Sequence, residues 1–528
     1  MTLALALGKT RAGIAAVRDR PFGAAIAVGT VGWATYAWAA RPLFAQGDQA
    51  WFLDVARHVA AGDGVRTSII VPAYLAASRG APIDQNPFFL YPPGYPLLLG
   101  AAAKLAGASE LTALVLHGIF FVLLLALTYV LARRFVDPLA AALVVVLLGL
   151  QPSLLQLATV QHSTDLPFAV LLIGAAVLIV RAPAARPLLS AAAAGAVLAS
   201  AQTFRFNAVA LVPAFGSLVW MQEGRVPPAK RVAAFLGAWA ACVFVLLQLS
   251  QAGGTTPTFS VNLLLIDTPG SPGLSIESDP NMPSLPVVLQ QRAIDIVAKG
   301  IAGLRFYLER FPEVGHPVTT GGGLLAGLLL VGRGSARPLV VFAALATMST
   351  VAVAAIVAFD VRYLLVLLPV YILLVILAVR TYVGDMRVAA GVLLTLTLLV
   401  WAGETARLAR DESIRATFAA EFRALAAYVR ETSEPGDWIG SDLFRQIPWH
   451  TGIPSIRLPN RVDELVSIAR LRRPVTRLVL TNTQITPTRR NFPDPQWERA
   501  LEGGIVPGFD LERSFQGETL RAVVLRAR

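Results

Sequence analysis

The sequence contains few charged residues and a single cysteine. Only 15% of its 528 residues are Asp, Glu, Lys or Arg, whereas soluble proteins carry about 25%. The one cysteine, Cys242, lies within an apolar run. An intramolecular disulfide and a metal site built on several thiolates are therefore both excluded.

Acidic residues are the scarcer charge: 33 Asp and Glu stand against 45 Lys and Arg, for a net charge of +12. Such a balance can attract nucleic acid. Here, however, the basic residues lie in short loops between apolar runs, where they act as signals of membrane topology. We therefore predict that the chain interacts with membrane lipids and not with nucleic acid.

Long apolar runs dominate the rest of the sequence, which is 55% hydrophobic with a mean hydropathy of +0.62. Several runs approach or exceed the roughly 20 residues that cross a bilayer, among them 111–132, 232–249, 339–359 and 363–379. The backbone of such runs must be hydrogen-bonded within the run, so the runs are helices. The sequence thus predicts an all-α polytopic membrane protein with about eleven transmembrane helices.

Clusters of basic residues orient these spans, because they concentrate on the cytoplasmic side. This rule predicts a cytoplasmic N-terminus in the plasma (cell inner) membrane and places the long loops 41–110 and 251–320 outside. The apolar piece 95–106 is too short to cross, so we expect it to be interfacial or re-entrant. The predicted spans are 22–40, 111–132, 138–155, 166–180, 187–203, 208–221, 232–250, 321–332, 339–359, 363–379 and 388–402.

The last part of the chain has the composition of a soluble domain. We predict a membrane module over residues 1–403 and a small external α/β domain over 404–528. An amphipathic helix is expected at 418–430 and strands at 438–440, 477–481 and 521–525. The Gly-, Pro-, Ser- and Thr-rich stretch 251–290 is predicted to be loop.

Two acidic residues stand beside predicted spans. Asp48 directly follows the first span, and Asp165 precedes Pro167 at the start of the fourth. Ionisable residues near a bilayer are costly and commonly functional. Taken alone, however, Thr164 or Asp165 is more simply explained as a cap of the helix, with Pro167 in its first turn. The predicted topology puts both acids at the same membrane face, which favours a functional site.

These segments resemble the GT-C membrane glycosyltransferases, in the branch of the protein mannosyltransferases and the lipid A aminoarabinose transferase. The resemblance rests on short motifs between residue 48 and about residue 460. They are 48–64 (DQAWFLDVARHVAAGDG), 91–98 (YPPGYPLL), 164–167 (TDLP), 362–365 (RYLL) with 368–369 (LP), 435–437 (PGD) and 449–452 (WHTG).

The resemblance implies an inverting hexosyl- or pentosyltransferase. The donor would be a polyprenyl-phosphate-linked sugar, and the unknown acceptor a lipid, a polysaccharide or a protein. Asp48 is expected to be the general base, and Asp165 to orient the acceptor; the two acids, Asp48 and Asp165, are also the candidate ligands of Mg²⁺ or Mn²⁺. Many members carry a second acid directly after the first, and Gln49 at this position puts a metal in doubt.

Arginine suits the leaving phosphate, because it binds phosphate through two parallel hydrogen bonds. Arg205 and Arg362 are the first candidates, with Arg305 and Arg310 next; helix-end arginines can also simply reach toward the membrane surface. His58, Tyr91, Tyr95 and His162 are candidates for the acceptor cavity, with surface exposure or packing as the alternative explanation.

Two other functions fit a polytopic chain. A transporter or lipid flippase for a glycolipid is one, but no internal repeat is visible and the informative charges lie at one predicted face. A non-catalytic assembly or sensor protein is the other, with the C-terminal domain as the ligand-binding part.

Overall fold

The computed structural model describes most of the chain. The described residues are 21–41, 44–45, 47–70, 92–182, 185–223, 225–252, 285–315, 317–357, 360–383, 386–459, 461–465, 475–483 and 495–528.

Helices form most of the described chain, and every predicted span coincides with one helix or with two helical segments in succession. The helices of the first half are α1 Pro21–Ala40, α2 Gly47–Ala61, α3 Gly94–Ala106, α4 Glu110–Ala132, α5 Pro138–Gly149, α6 Pro152–Gln156, α7 Asp165–Val180, α8 Pro187–Ala201, α9 Val212–Trp220 and α10 Pro228–Ala252. Those of the second half are α11 Leu285–Arg310, α12 Pro317–Leu330, α13 Arg337–Val357, α14 Arg362–Leu365, α15 Leu368–Tyr382, α16 Met386–Arg410, α17 Glu412–Thr432, α18 Gln446–Thr451 and α19 Pro495–Leu501.

The chain is an integral membrane protein. Among the described residues, helices α4, α10, α13 and α16 include stretches long and apolar enough to cross a bilayer. The pair α5 and Pro152–Gln161 forms a fifth such unit, bent by 57°. Five further apolar helices have 10–17 residues, so the full count of spans stays a prediction.

Small residues let the helices of the bundle approach closely. Gly29 of α1 faces Gly149 of α5, and a Cβ on Gly149 would lie 2.7 Å from the Gly29 Cα. Helices in lipid gain no hydrophobic stabilisation by packing together, so the van der Waals contacts at such close approaches stabilise the pair instead.

Helix α11 starts inside the stretch 251–290, which was predicted to be loop; residues 253–284 of that stretch lie outside the described residues. Its apolar residues are exposed in the chain and recur every three or four positions, at Ile294, Val297, Ile301, Leu304 and Leu308. This spacing is typical of a helix, and the Gly- and Pro-rich composition of the preceding residues obscured it.

The C-terminal part contains a six-stranded sheet in the order β1-β3-β2-β4-β6-β5. Its strands are β2 Ile439–Ser441, β3 Ser455–Arg457, β4 Arg477–Thr483, β5 Phe509–Gln516, β6 Leu520–Ala527 and an edge strand β1, Ile69–Ile70, that belongs to the first long loop. Helix α17 covers the sheet with Phe418, Phe422, Leu425 and Val429. The predicted helix and all three predicted strands are present. The division at residue 403 stays a prediction, since β1 joins the sheet from outside it.

Candidate active site

The two sequence-predicted acids lie at the same end of the helical bundle, within reach of the same arginine. Asp48 stands in the first turn of α2, and Asp165 in the first turn of α7. Asp48 and Asp165 both interact electrostatically with Arg362, as does Asp360. Segments more than a hundred residues apart therefore build one charged cluster.

Asp48 is held by two guanidinium groups. Arg445 Nη1 donates to Asp48 Oδ1 at 2.8 Å, and Arg362 Nη1 lies 3.6 Å from Asp48 Oδ2. The Asp48 side chain is 15% exposed, so it keeps partial contact with the surroundings. Arg362 is itself anchored by Asp360, whose Oδ2 lies 2.8 Å from Arg362 Nε.

Asp165 is fully buried and paired with Arg205. Ser163 Oγ donates to the other oxygen, Asp165 Oδ2, at 2.7 Å. The N-cap residue is Thr164, which makes no capping hydrogen bond through its side chain, so helix capping by threonine does not explain this motif. The negative charge at the start of α7 also interacts favourably with the helix dipole.

Tyr363 links the two arginines. The Arg205 guanidinium lies 4.6 Å from the centre of the Tyr363 ring, and that of Arg362 lies 5.8 Å from it. Both distances are within the range of cation–π attraction. The ring thus holds both predicted phosphate-binding groups at the same end of the bundle.

His162 lies between the two acidic segments in an unusual backbone conformation. It follows a π-helical turn, Leu157–Gln161, and has a φ of 36°, a region that non-glycine residues seldom adopt. Its side chain is fully buried, Nδ1 contacts the Gln49 amide, and Nε2 has no hydrogen-bond partner among the described residues. π-turns and such strained residues are frequent at functional sites.

Behind His162, His117 and Tyr95 form a buried support. The rings of His117 and His162 are 4.9 Å apart, and His117 Nε2 lies 3.0 Å from the Ser163 carbonyl oxygen. Tyr95 Oη is 3.2 Å from His117 Nδ1, and its side chain is fully buried. Tyr95 therefore packs beneath the site. Packing was the alternative to a role in the acceptor cavity that the sequence left open.

The remaining predicted cavity residues are placed elsewhere or not described. His58 contacts Asp63 at 3.1 Å and Ser68 at 2.9 Å, within the first long loop. Tyr91 lies outside the described residues. A cavity role for either residue stays a prediction.

Arg305 and Arg310 lie on the exposed surface near the end of α11. Arg305 pairs with Glu309 at 2.7 Å, and Arg310 with Glu313 at 2.9 Å. These are neighbouring pairs on one helical segment, and the described contacts do not bring either arginine to Asp48 or Asp165. Their predicted role in phosphate binding stays untested.

Sequence reasoning missed two charged residues of the cluster. Asp360 could have been suspected, because it stands two residues before Arg362. Arg445 carried no such signal: it is 397 positions from Asp48 and belongs to the part of the chain predicted to be a separate domain.

The arrangement does not fit a Mg²⁺ or Mn²⁺ site. Each oxygen of Asp48 faces an arginine, and the oxygens of Asp165 are taken by Arg205 and Ser163. No group of three His, Cys, Asp or Glu side chains suited to a metal occurs among the described residues. The arginines occupy the places that a cation would need, so no step below uses a metal.

Comparison with known proteins points to one architecture. The family model described as dolichyl-phosphate-mannose-protein mannosyltransferase matches residues 91–249, a stretch that includes Asp165 and Arg205. A search of curated proteins found no match.

Solved structures match over nearly the whole chain. ArnT from Cupriavidus metallidurans bound to undecaprenyl phosphate aligns with a TM-score of 0.59 and 13% identity, covering 95% of this chain and 98% of that one. The oligosaccharyltransferase AglB from Archaeoglobus fulgidus, in complex with an inhibitory peptide and a dolichol-phosphate, aligns with a TM-score of 0.53 and 11% identity. That match covers 88% of this chain and 70% of AglB. The chain therefore has the overall fold that ArnT and AglB share, which is the fold expected from the resemblance of its motifs.

Proposed function

We propose that this protein is a glycosyltransferase that moves a sugar from a polyprenyl-phosphate donor to an acceptor hydroxyl outside the cytoplasm. The observation that carries the proposal is the cluster itself. Two carboxylates and two arginines from four distant segments meet at one end of a membrane bundle, where a lipid-linked donor would present its phosphate.

The arrangement suits an inverting displacement. The acceptor oxygen forms a bond to the anomeric carbon while the bond from that carbon to the phosphate oxygen breaks. The electron pair of the broken bond stays on the phosphate, and the acceptor proton passes to a carboxylate. Asp48, which keeps partial access, is the base in this proposal.

Arg362 and Arg205 supply the positive charge that the leaving phosphate needs. Guanidinium groups stabilise a phosphate most where water is scarce. The side chains of Arg362 and Arg205 are 24% and 13% exposed. The lipid tail would remain in the bilayer, as expected for a donor built on a carrier such as the undecaprenyl phosphate bound to ArnT or the dolichol-phosphate bound to AglB.

A transporter or flippase fits the cluster less well. Coupled transport places charges near the bilayer midplane, on a path open to both sides. Here the paired carboxylates and arginines lie at one end of the bundle, and α2, the helix that carries Asp48, follows the first membrane helix directly.

The experiment compares lipid and glycan mass spectra of cells that lack the protein with cells that express the wild type, D48N or D510N. Asp510 pairs with Arg528 on the exposed surface, so D510N is the matched control. We expect a product that appears with the wild type and D510N and falls by about 10² to 10⁴ in D48N, the usual cost of losing a general base. Wild-type amounts of product in D48N, at equal protein level, would remove Asp48 from the mechanism.

A further inference from the structure

The C-terminal sheet and the first long loop are joined by backbone pairing. Strand β1 of the loop runs parallel to β3, with Ile69 opposite Ser455 and Ile70 opposite Ile456. The Ser455 amide also donates to the Ser68 carbonyl oxygen at 3.0 Å. The segment that carries Asp48 is thus tied to the sheet through its own backbone.

Helix α18 adds a side-chain interface against α2. Arg57 of α2 donates to the Pro448 carbonyl oxygen at 3.2 Å. His450 Nε2 lies 3.2 Å from the Ala45 carbonyl oxygen, and its ring stacks on Phe44 at 4.7 Å. The C-terminal half of α2 and the residues just before this helix are therefore in contact with the same short helix.

Arg445 stands immediately before α18 and is directed into the site. Its guanidinium lies 5.2 Å from the ring of Trp51, on α2, and 5.2 Å from that of Phe444. These aromatic contacts flank the group while Nη1 reaches Asp48 at 2.8 Å. The Arg445 side chain is only 22% exposed, so solvent screens this ion pair less than one at the surface.

The two arginines approach different oxygens of Asp48, and they come from different parts of the chain. Arg362 belongs to the membrane bundle, and Arg445 to the segment between β2 and α18. Contacts of two guanidinium groups with different oxygens fix the orientation of the carboxylate plane. Removing one contact lets the carboxylate rotate, and a displacement of about 1 Å at a reacting group can cost about 10²-fold in rate.

We propose that Arg445 is a positioning residue, supplied by the C-terminal domain, that orients the Asp48 carboxylate for proton transfer from the acceptor. This inference rests on the function proposed above. It makes the C-terminal domain part of the active site, because the packing of α18 against α2 places the Arg445 guanidinium beside Asp48.

The test uses the full-length chain and compares R445M with R445K. Methionine keeps much of the packing between Trp51 and Phe444 but removes the charge, whereas lysine keeps the charge. We expect R445M to lower the amount of transfer product at least about tenfold and R445K to restore most of it. Arg526, which pairs with Glu434 at 2.7 Å on the exposed surface, provides the matched control R526M, and that variant should match the wild type.

A second readout separates positioning from phosphate binding. Purified wild type and R445M are titrated with undecaprenyl phosphate, and the affinities should agree within about twofold, because Arg445 acts on Asp48. A loss of affinity that parallels the loss of transfer would overturn the proposal and make Arg445 a phosphate ligand. If R445M is recovered poorly, R445Q and R445K give the same comparison of charge.

The outcomes also separate this inference from the proposed function. If D48N abolishes the product while R445M makes as much as the wild type, Arg445 has no positioning role and the transferase stands. If D48N leaves the product unchanged, Asp48 is not the base and the positioning role of Arg445 falls with it. If no product depends on the wild-type protein, the proposed function itself fails.

Discussion

Arginine–carboxylate pairing is the main feature of the site at the scale of single residues. Three guanidinium groups face three carboxylates, and the contacts are shared: Arg362 meets both Asp48 and Asp360. A shared arginine can exchange one carboxylate contact for a phosphate oxygen with little change in charge balance. A bound phosphate would therefore compete with the two carboxylates for the guanidinium of Arg362.

Replacing Arg362 should therefore weaken phosphate binding. We expect R362A to reduce the affinity for undecaprenyl phosphate by about tenfold to a hundredfold, the cost of one charged hydrogen-bonded contact of about 1.5–3 kcal/mol. Titration of the purified protein measures this. Arg380, which pairs with Asp137 at 2.7 Å, gives the control R380A, and equal affinities for R362A and R380A would return Arg362 to a structural role.

Asp442 should make the stability of the C-terminal domain depend on pH. Burial raises the pKa of Asp442 from its usual value near 3.8 to about 7, although Thr481 donates to it through its amide and its hydroxyl. The folded state then binds the proton more tightly than the unfolded state. Protonated Asp442 therefore contributes fully to the free energy of unfolding at a pH below about 4. This contribution is lost as the pH rises to about 7.

The measurement is the melting temperature of the wild type and of D442N at several pH values between 5 and 8. The wild type should lose stability with rising pH more steeply than D442N, which cannot ionise there. Parallel curves for the two proteins would show that Asp442 does not titrate in this range.

Close helix packing is decisive at the scale of elements. Gly149 is the last residue of α5. The bent continuation after it leads through the π-turn to His162 and then to Asp165, so the contact between Gly149 and Gly29 helps to fix the position of that segment. An alanine at position 149 would place its Cβ 2.7 Å from the Gly29 Cα. Two backbones cannot move apart as easily as a flexible side chain can.

We expect G149A to be destabilised by about 1–3 kcal/mol through overpacking. Thermal unfolding in detergent, followed by tryptophan fluorescence, measures the effect. Gly23 lies on the same helix as Gly29 and has no atom within 4 Å of an added Cβ, so G23A is the control. If the two variants melt together, the α1–α5 contact is looser than described.

The arrangement of the whole molecule depends on topology. Asp48, Asp165 and Arg445 share one end of the bundle, and the basic clusters predict that this end faces away from the cytoplasm. An impermeant maleimide should label D63C in intact cells and R337C only after permeabilisation, once Cys242 is replaced by serine. Labelling of both positions in intact cells would contradict the predicted orientation.

The sequence by itself determined the class of the molecule and the positions of the helices that form its predicted spans. Hydropathy and helix-end residues are local properties, so the predicted spans coincide with helices. The fold implied by the order of short motifs is the one that ArnT and AglB also have. Asp48, Asp165 and Arg362 could be singled out as candidates because each stands next to a predicted span. Local patterns could not place helix α11, whose sequence follows a stretch with the composition of a loop.

Only the tertiary structure decided what meets at the site. Arg445 and strand β1 reach their partners across separations of 397 and nearly 390 positions, and no local periodicity encodes such contacts. The pairing of Arg205 with Asp165, and the placement of Arg305 and Arg310 on an exposed helix, likewise depend on how the helices pack. Patterns of charge and hydropathy extend over a few consecutive residues of the sequence. An ion pair depends instead on the distance between two groups in space, which the fold alone sets.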